Sequence, residues 1–180
     1  MSGIVRTGRL TALAVPDSRH YRLAASWIND PRVNRTLVTG QPWPVSENDM
    51  SGWLPTSEPH TAFVIVPLGA QREPVGLTHF HSYDRSTRSI KLAILVEPAS
   101  QGRGYGTDAV RLMVDHAFTT FDLNRVALSA FASNPGGLRA YERAGFRVEG
   151  TRRHTWYRDG RWHDDVLMAI LRAEWEENRT

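Results

Sequence analysis

The chain contains no cysteine among its 180 residues. That excludes disulfides, thiolate metal sites and a cysteine nucleophile. No stretch approaches the roughly 18 apolar residues of a membrane-spanning helix, so no membrane partner is expected. The segment Met1 to Arg9 lacks the apolar centre of a secretory leader, which makes the cytoplasm the expected compartment. Internal repeats and low-complexity segments are also missing. What is present is ordinary for a globular protein: 41% hydrophobic and 23% charged residues. The length suits one domain over residues 1–180 with a core of its own. The net charge of +3 comes from 22 Lys+Arg against 19 Asp+Glu, mostly arginine and spread along the chain. A nucleic-acid binder needs its basic residues clustered on one face, so no nucleic-acid partner is expected.

The pattern alternates strands and helices. Leu10 to Val15 reads as a strand, followed by a helix from an Asp17 cap to about Asn29, which Asp30-Pro31 ends. Ser46 and Asp49 have capping-box spacing ahead of a short helix to Leu54. Thr61 to Pro67, Val75 to Ser82 and Ser89 to Val96 read as strands, with Val75, Leu77, His79 and His81 sharing one face by period two. Val110, Met113, Val114, Ala117, Phe118 and Phe121 form a helical stripe. Val126 to Ala132 is a further strand. Arg147 to Trp156 and Trp162 to Leu171 flank Asp159-Gly160, a two-residue hairpin signal. The class is α/β, a mixed α+β sheet with hairpins at both ends and two crossover helices.

Gln101-Gly102-Arg103-Gly104-Tyr105-Gly106 lies between a strand and a helix. Such a turn gathers unpaired amides at the positive end of the helix dipole, a cradle for phosphate. A P-loop would need Lys and then Ser or Thr after the last glycine, whereas Gly106 is followed by Thr107 and Asp108. The dinucleotide fingerprint needs another glycine spacing. A tight turn with no ligand is the remaining alternative. A second strand-to-helix passage runs from Ser133 to Phe146. Asn134 suits the cap, Pro135 the first helical position and Gly145 the position past the end. Asn134 and Tyr141 are nearly two turns apart and share a face.

Together the two segments resemble the GNAT superfamily of acyl-CoA-dependent N-acetyltransferases. Its loop Q/R-x-x-G-x-G/A is matched by Gln101, Gly104 and Gly106. Its second motif is matched in order by Asn134, Gly137, Tyr141, Arg143, Gly145 and Phe146. Gly8-Arg9-Leu10, Trp27 to Pro31 and the C-terminal segment from Asp159 look like the RimJ/RimL-like branch. The resemblance implies a GNAT fold, whose mixed sheet splays open at its centre. It implies acetyl-CoA as cosubstrate with no metal, and a primary amine of a protein N-terminus or small molecule as acceptor, in a monomer or homodimer. Cofactor contacts would come from Leu95, Val96, Gln101, Gly102, Arg103, Gly104, Tyr105, Gly106, Thr107, Asn134 and Tyr141. Tyr141 would protonate the departing thiolate, since a phenol with pKa about 10 starts protonated near neutrality.

Many relatives carry a glutamate base on the central strand, where this chain has Lys91, with Ala93 at the usual glycine. Glu97 is one replacement, its alternative being a strand-end charge; His79 and His81 are others. Trp27, Trp43, Trp53, His154, Trp156, Tyr157, Trp162 and His163 supply aromatic surface for a core or an acceptor cleft, with Trp43 and Trp156 taken as acceptor candidates. The altered Lys91 and Ala93 positions leave open a non-catalytic acyl-CoA-binding or sensing domain.

Overall fold

The computed structural model describes residues 3–37, 44–54, 61–69 and 73–178. Eight strands form one sheet in the order β1-β2-β3-β4-β5-β6-β8-β7. They are β1 (Ile4–Thr7), β2 (Thr11–Ala14), β3 (Ala62–Pro67), β4 (Gly76–Asp84), β5 (Ser89–Val96), β6 (Arg125–Phe131), β7 (Arg147–Arg158) and β8 (Arg161–Leu171). The helices are α1 (Arg19–Asn29), α2 (Pro31–Asn34), α3 (Met50–Trp53), α4 (Tyr105–Thr120), α5 (Pro135–Arg143) and α6 (Arg172–Glu177). All neighbouring strands run antiparallel except β5 and β6, which are parallel and joined through α4.

The parallel pairing is short. It holds Ser89, Ile90 and Lys91 against Arg125, Val126 and Ala127. Beyond Lys91 the two strands part, β5 keeping its ladder with β4 and β6 its ladder with β8. A wedge therefore opens at the carboxyl end of β5, the place where α/β sheets bind ligands.

Two cores cover the faces of the sheet. On one face the α4 stripe Val110, Met113, Val114, Ala117 and Phe118 packs with Ile90, Leu92, Val126 and Met168. On the other, Trp27 and Ile28 of α1 and Val33 of α2 pack with Leu77 and Leu95. Asp108, in the first turn of α4, is buried and accepts hydrogen bonds from the amides of Arg9, Leu10 and Thr11 and from the Thr11 hydroxyl, at 2.8–3.2 Å. It pins the start of α4 to the β1–β2 turn.

Most expected elements form near their expected positions. Ser46 donates to Asp49 Oδ2 through both its N–H and its Oγ, each at 2.7 Å, which is one half of a capping box. Asp159 and Gly160 have φ of 52° and 73°, the positive values that a two-residue hairpin of this kind requires. Three elements were not anticipated, β1, α2 and α6. Val75 departs from its expected face: it precedes β4 and joins the α4 core, while Leu77 joins the α1 core.

Candidate active site

The wedge between β5 and β6 is the mouth of a cleft of about 510 Å³. One end is the glycine loop. Gly102 and Gly104 have φ of 75° and 84°, a conformation that side chains other than glycine adopt only under strain. A Cβ on Gly102 would meet nothing within 4 Å, so the space above the loop is open. Among the described residues, the amides of Gly102, Arg103 and Gly104 donate to no other group. They point from a loop that caps the 16-residue helix α4, so free donors and the positive dipole end coincide. Gln101 Nε2 donates to the Val96 carbonyl at 2.9 Å and folds the loop back on β5. The loop thus fits a pyrophosphate.

The middle of the cleft is the edge of β5 beyond Lys91, which has no strand partner on the β6 side. An extended ligand can take such an edge through main-chain hydrogen bonds. Facing it stands α5. Asn134 caps this helix, its Oδ1 accepting from the Gly137 amide at 3.0 Å. Gly137 is needed here because a Cβ would come within 2.7 Å of Asn134 Nδ2. Asn134 and Tyr141 both line the cleft. Burial pushes the Tyr141 phenol up to about 12, so it remains protonated at neutral pH.

Of the expected site residues, Leu95, Val96, Gln101, Gly102, Gly104, Gly106, Thr107, Asn134, Tyr141, His81 and Trp156 line this cleft. Arg103 is exposed on the loop and outside the lining. The Tyr105 side chain packs against the α4 core instead. Glu97, the expected base, does not line the cleft, and its Oε1 accepts from the Ser100 hydroxyl at 2.7 Å. It follows the last β5 residue and caps the short 3-10 turn Pro98–Ser100. His79 also stays out of the lining, with its ring 5.6 Å from that of His81. Trp43 lies outside the described residues. Trp27 is a core residue, Tyr157 and Trp162 are exposed and packed on each other, and His163 is buried against Phe131.

At the other end, α2 and the hairpin β7–β8 close the cleft. Val33, Thr36 and Leu37 form one wall, and Arg152 and Trp156 another. Arg158 ties the two together, its Nη1 donating to the carbonyls of Asn34 at 2.8 Å and Leu37 at 2.9 Å. His81 and Lys91 face each other across the β4–β5 ladder, and both line the cleft. Burial, then the charge of Lys91, holds the His81 imidazole below its usual 6.5. Arg152 donates to Oδ2 of Asp165, which is fully buried.

The Arg152–Asp165 pair and the Arg158 tie were not among the residues singled out from the sequence. A register counted from the Asp159-Gly160 turn would not place Arg152 opposite Asp165, because the ladder shifts between Arg152 and Trp156. His154, in the shifted stretch, has φ of 50° and donates its amide to Asp164 Oδ1 at 2.9 Å.

Comparison with known proteins fits this geometry. A probable N-acetyltransferase of Bacillus subtilis is 36% identical over 86 residues, covering 48% of this chain and 48% of the relative. A spermidine N(1)-acetyltransferase of Vibrio cholerae is 28% identical over 106 residues, covering 59% of this chain and 61% of the relative. The chain thus spans about half the length of the curated relatives it matches. A crystal structure of the Vibrio cholerae spermidine N-acetyltransferase in complex with CoA and spermine superposes with a TM-score of 0.80 at 22% identity, covering 92% of this chain and 98% of that one. A GNAT-family acetyltransferase from Bacillus anthracis superposes with a TM-score of 0.77 at 19% identity, covering 92% of this chain and 96% of that one. At these identities the structural likeness is one of fold. The acetyltransferase (GNAT) domain matches residues 9–147, which take in the glycine loop, the splayed strands and the Asn134–Tyr141 helix, and the chain belongs to that family.

Proposed function

We propose that this protein is an acetyl-CoA-dependent N-acetyltransferase acting on a primary amine by direct attack. One observation carries the reading: the free amides of the glycine loop, the unpaired β5 edge and Tyr141 line a single cleft. The amides from Gly102 to Thr107 hold the pyrophosphate, with Arg139 and Arg143 of the cleft wall adding positive charge. Leu95 and Val96 offer main-chain groups to the pantetheine arm, and Asn134 approaches it from α5. Bound acetyl-CoA supplies a thioester, an acyl group already activated toward amines.

The chain's residues then manage protons and position. Tyr141, neutral because of its burial, donates its hydroxyl proton to the departing sulfur. His81 is uncharged at pH 7 and has a ring nitrogen able to take the proton of the attacking amine, directly or through water. An acceptor of pKa about 10 is mostly ammonium at neutral pH, so this proton must be removed. The walls formed by Leu37 and Trp156 exclude water from the reacting end. The acceptor is a protein N-terminus or a small-molecule amine, and the resemblance to the RimJ/RimL-like branch favours the former.

The test is thiol release from acetyl-CoA across a panel of peptide, polyamine, aminoglycoside and small amines, with calorimetric binding of acetyl-CoA measured alongside. Acceptor-dependent thiol release, with an acetyl added to the acceptor mass, supports the proposal. Tight acetyl-CoA binding with no turnover on any acceptor contradicts it. That outcome would support a binding or sensing domain, a reading favoured by Lys91 in place of the acid and by the absence of Glu97 from the cleft.

A further inference from the structure

We propose that the acceptor end of the cleft takes a primary amine that also carries an anionic group, a carboxylate or phosphate, and that Lys91 holds this group. The inference deepens the N-acetyltransferase reading and rests on it. Lys91 is the only lysine in the chain; every other residue of the 22 Lys+Arg is arginine. The β4–β5 register puts Leu77 opposite Leu95, His79 opposite Ala93 and His81 opposite Lys91. Paired residues at this spacing share one face. Leu77 and Leu95 pack with Trp27 and Ile28 of α1, so Lys91 stands on the α1–α2 face, solvent-exposed in the lining of the acceptor end.

The charge balance there is one-sided. Among the described residues, no Asp or Glu lines the cleft, and Lys91 makes no ion pair. Arg152 on the opposite wall is matched by Asp165, which leaves Lys91 as the unmatched charge. The indole N–H of Trp156, in the same end, is buried without a hydrogen-bond partner. Lys91, Arg152 and Trp156 all present donors, and an ammonium or indole N–H has no acceptor to offer. A polyamine would bring several positive charges against Lys91 and Arg152, and among the described residues no carboxylate in the lining receives them; Asp165 lies behind Arg152 and is already paired with it. An oxyanion satisfies the same donors and accepts from the buried indole.

The experiment compares kcat/KM for four acceptors: 4-aminobutyrate, O-phosphoethanolamine, butylamine and spermidine. The two anionic amines distinguish carboxylate from phosphate. The proposal predicts that at least one of them exceeds butylamine roughly tenfold or more, that spermidine ranks last, and that Lys91→Met brings the anionic-to-neutral ratio close to one. Spermidine as the best acceptor, or a ratio that Lys91→Met leaves unchanged, overturns it. So does an acetyl group on Lys91 in the intact mass, because an amide cannot pair with an anion. A second readout does not need turnover. With CoA saturating the loop, 4-aminobutyrate and O-phosphoethanolamine are titrated while the His81 ring is followed by NMR. At least one should shift the ring in the wild type and not in Lys91→Met; no shift with either overturns the inference. If none of these four turns over, the NMR titration still decides the anion site, and the N-acetyltransferase reading is decided separately by the wider panel that includes peptides.

Discussion

Lys91 stands directly across the β4–β5 ladder from His81, a cation facing an imidazole in the lining of the cleft. The other charged and titratable neighbours are His79 at 5.6 Å on the same face and Arg152 on the facing wall. The wall contributed by Val33, Thr36 and Leu37 brings no ionisable group. Burial first, and Lys91 second, lower the His81 pKa from 6.5. If His81 takes the amine proton, kcat/KM falls on the acid side with an apparent pKa below 6.5. Lys91→Met removes one of the two causes, so the acid limb moves to higher pH. A pH–rate profile with a neutral acceptor checks both; a limb that Lys91→Met leaves in place separates His81 from the profile.

Asp108 anchors α4 to the β1–β2 turn through four hydrogen bonds. Burial alone would raise its pKa, but these bonds to Leu10, Thr11 and Arg9 together outweigh it and hold the carboxyl below 3.8. A folded-state pKa below the unfolded one means stability present above about pH 4 and lost as pH falls through the folded value. Asp108→Ala strands three amides and a hydroxyl, and should cost about 2–4 kcal/mol in urea unfolding at pH 7. A loss under about 0.5 kcal/mol would contradict that role.

Two histidines make stability depend on pH near neutrality. Burial, then the charge of His81, lowers His79 to about 4; burial, then the charge of Arg6, lowers His116 to about 4. His116 is enclosed by Phe63, Phe80 and Phe121. Between pH 4 and 6.5 the unfolded chain binds protons that the folded chain does not, so stability rises with pH across that window. Unfolding free energy should drop by roughly 1–3 kcal/mol from pH 7.5 to pH 5. His116→Phe should flatten the slope, and an unchanged slope would contradict it.

Gly104 has φ of 84°, and a Cβ there would lie 3.1 Å from Leu10 Cδ1. Gly104→Ala is expected to cost about 1–2 kcal/mol of stability through backbone strain. It should also weaken acetyl-CoA binding at least tenfold, because the loop amides turn away. Calorimetry on the folded variant separates the two effects. Undiminished affinity would show that the loop does not hold the pyrophosphate.

The sequence carried the parts of this fold whose cause is local. The α4 stripe, the Asn134 cap with Gly137 after it and the Asp159-Gly160 turn each follow from spacing and backbone preference, and each formed. The parts that sequence did not carry depend on distant residues. β1 is an exposed edge strand without clean alternation, and only its pairing with β2 defines it. Arg152 meets Asp165 because the β7–β8 ladder shifts between Arg152 and Trp156, a bulge that no hairpin count supplies. Glu97 looked free as a strand-end acid, but its hydrogen bond from Ser100 became visible only once the 3-10 turn had formed. In the site, the loop and α5 were legible as motifs, whereas the acceptor end, with Lys91 from β5 and Arg152 and Trp156 from β7, emerged only from strands far apart in sequence.

The most direct test of the account is Tyr141→Phe, which removes one hydroxyl from a half-buried ring and keeps its packing against Phe146. Thiol release is measured at saturating acetyl-CoA and acceptor, with acetyl-CoA affinity and thermal stability measured on the same samples. The account predicts a kcat lowered about 100-fold, with affinity and melting temperature near those of the wild type, because Tyr141 gives its proton only as sulfur departs. A variant with wild-type kcat on every acceptor that the parent uses would contradict it.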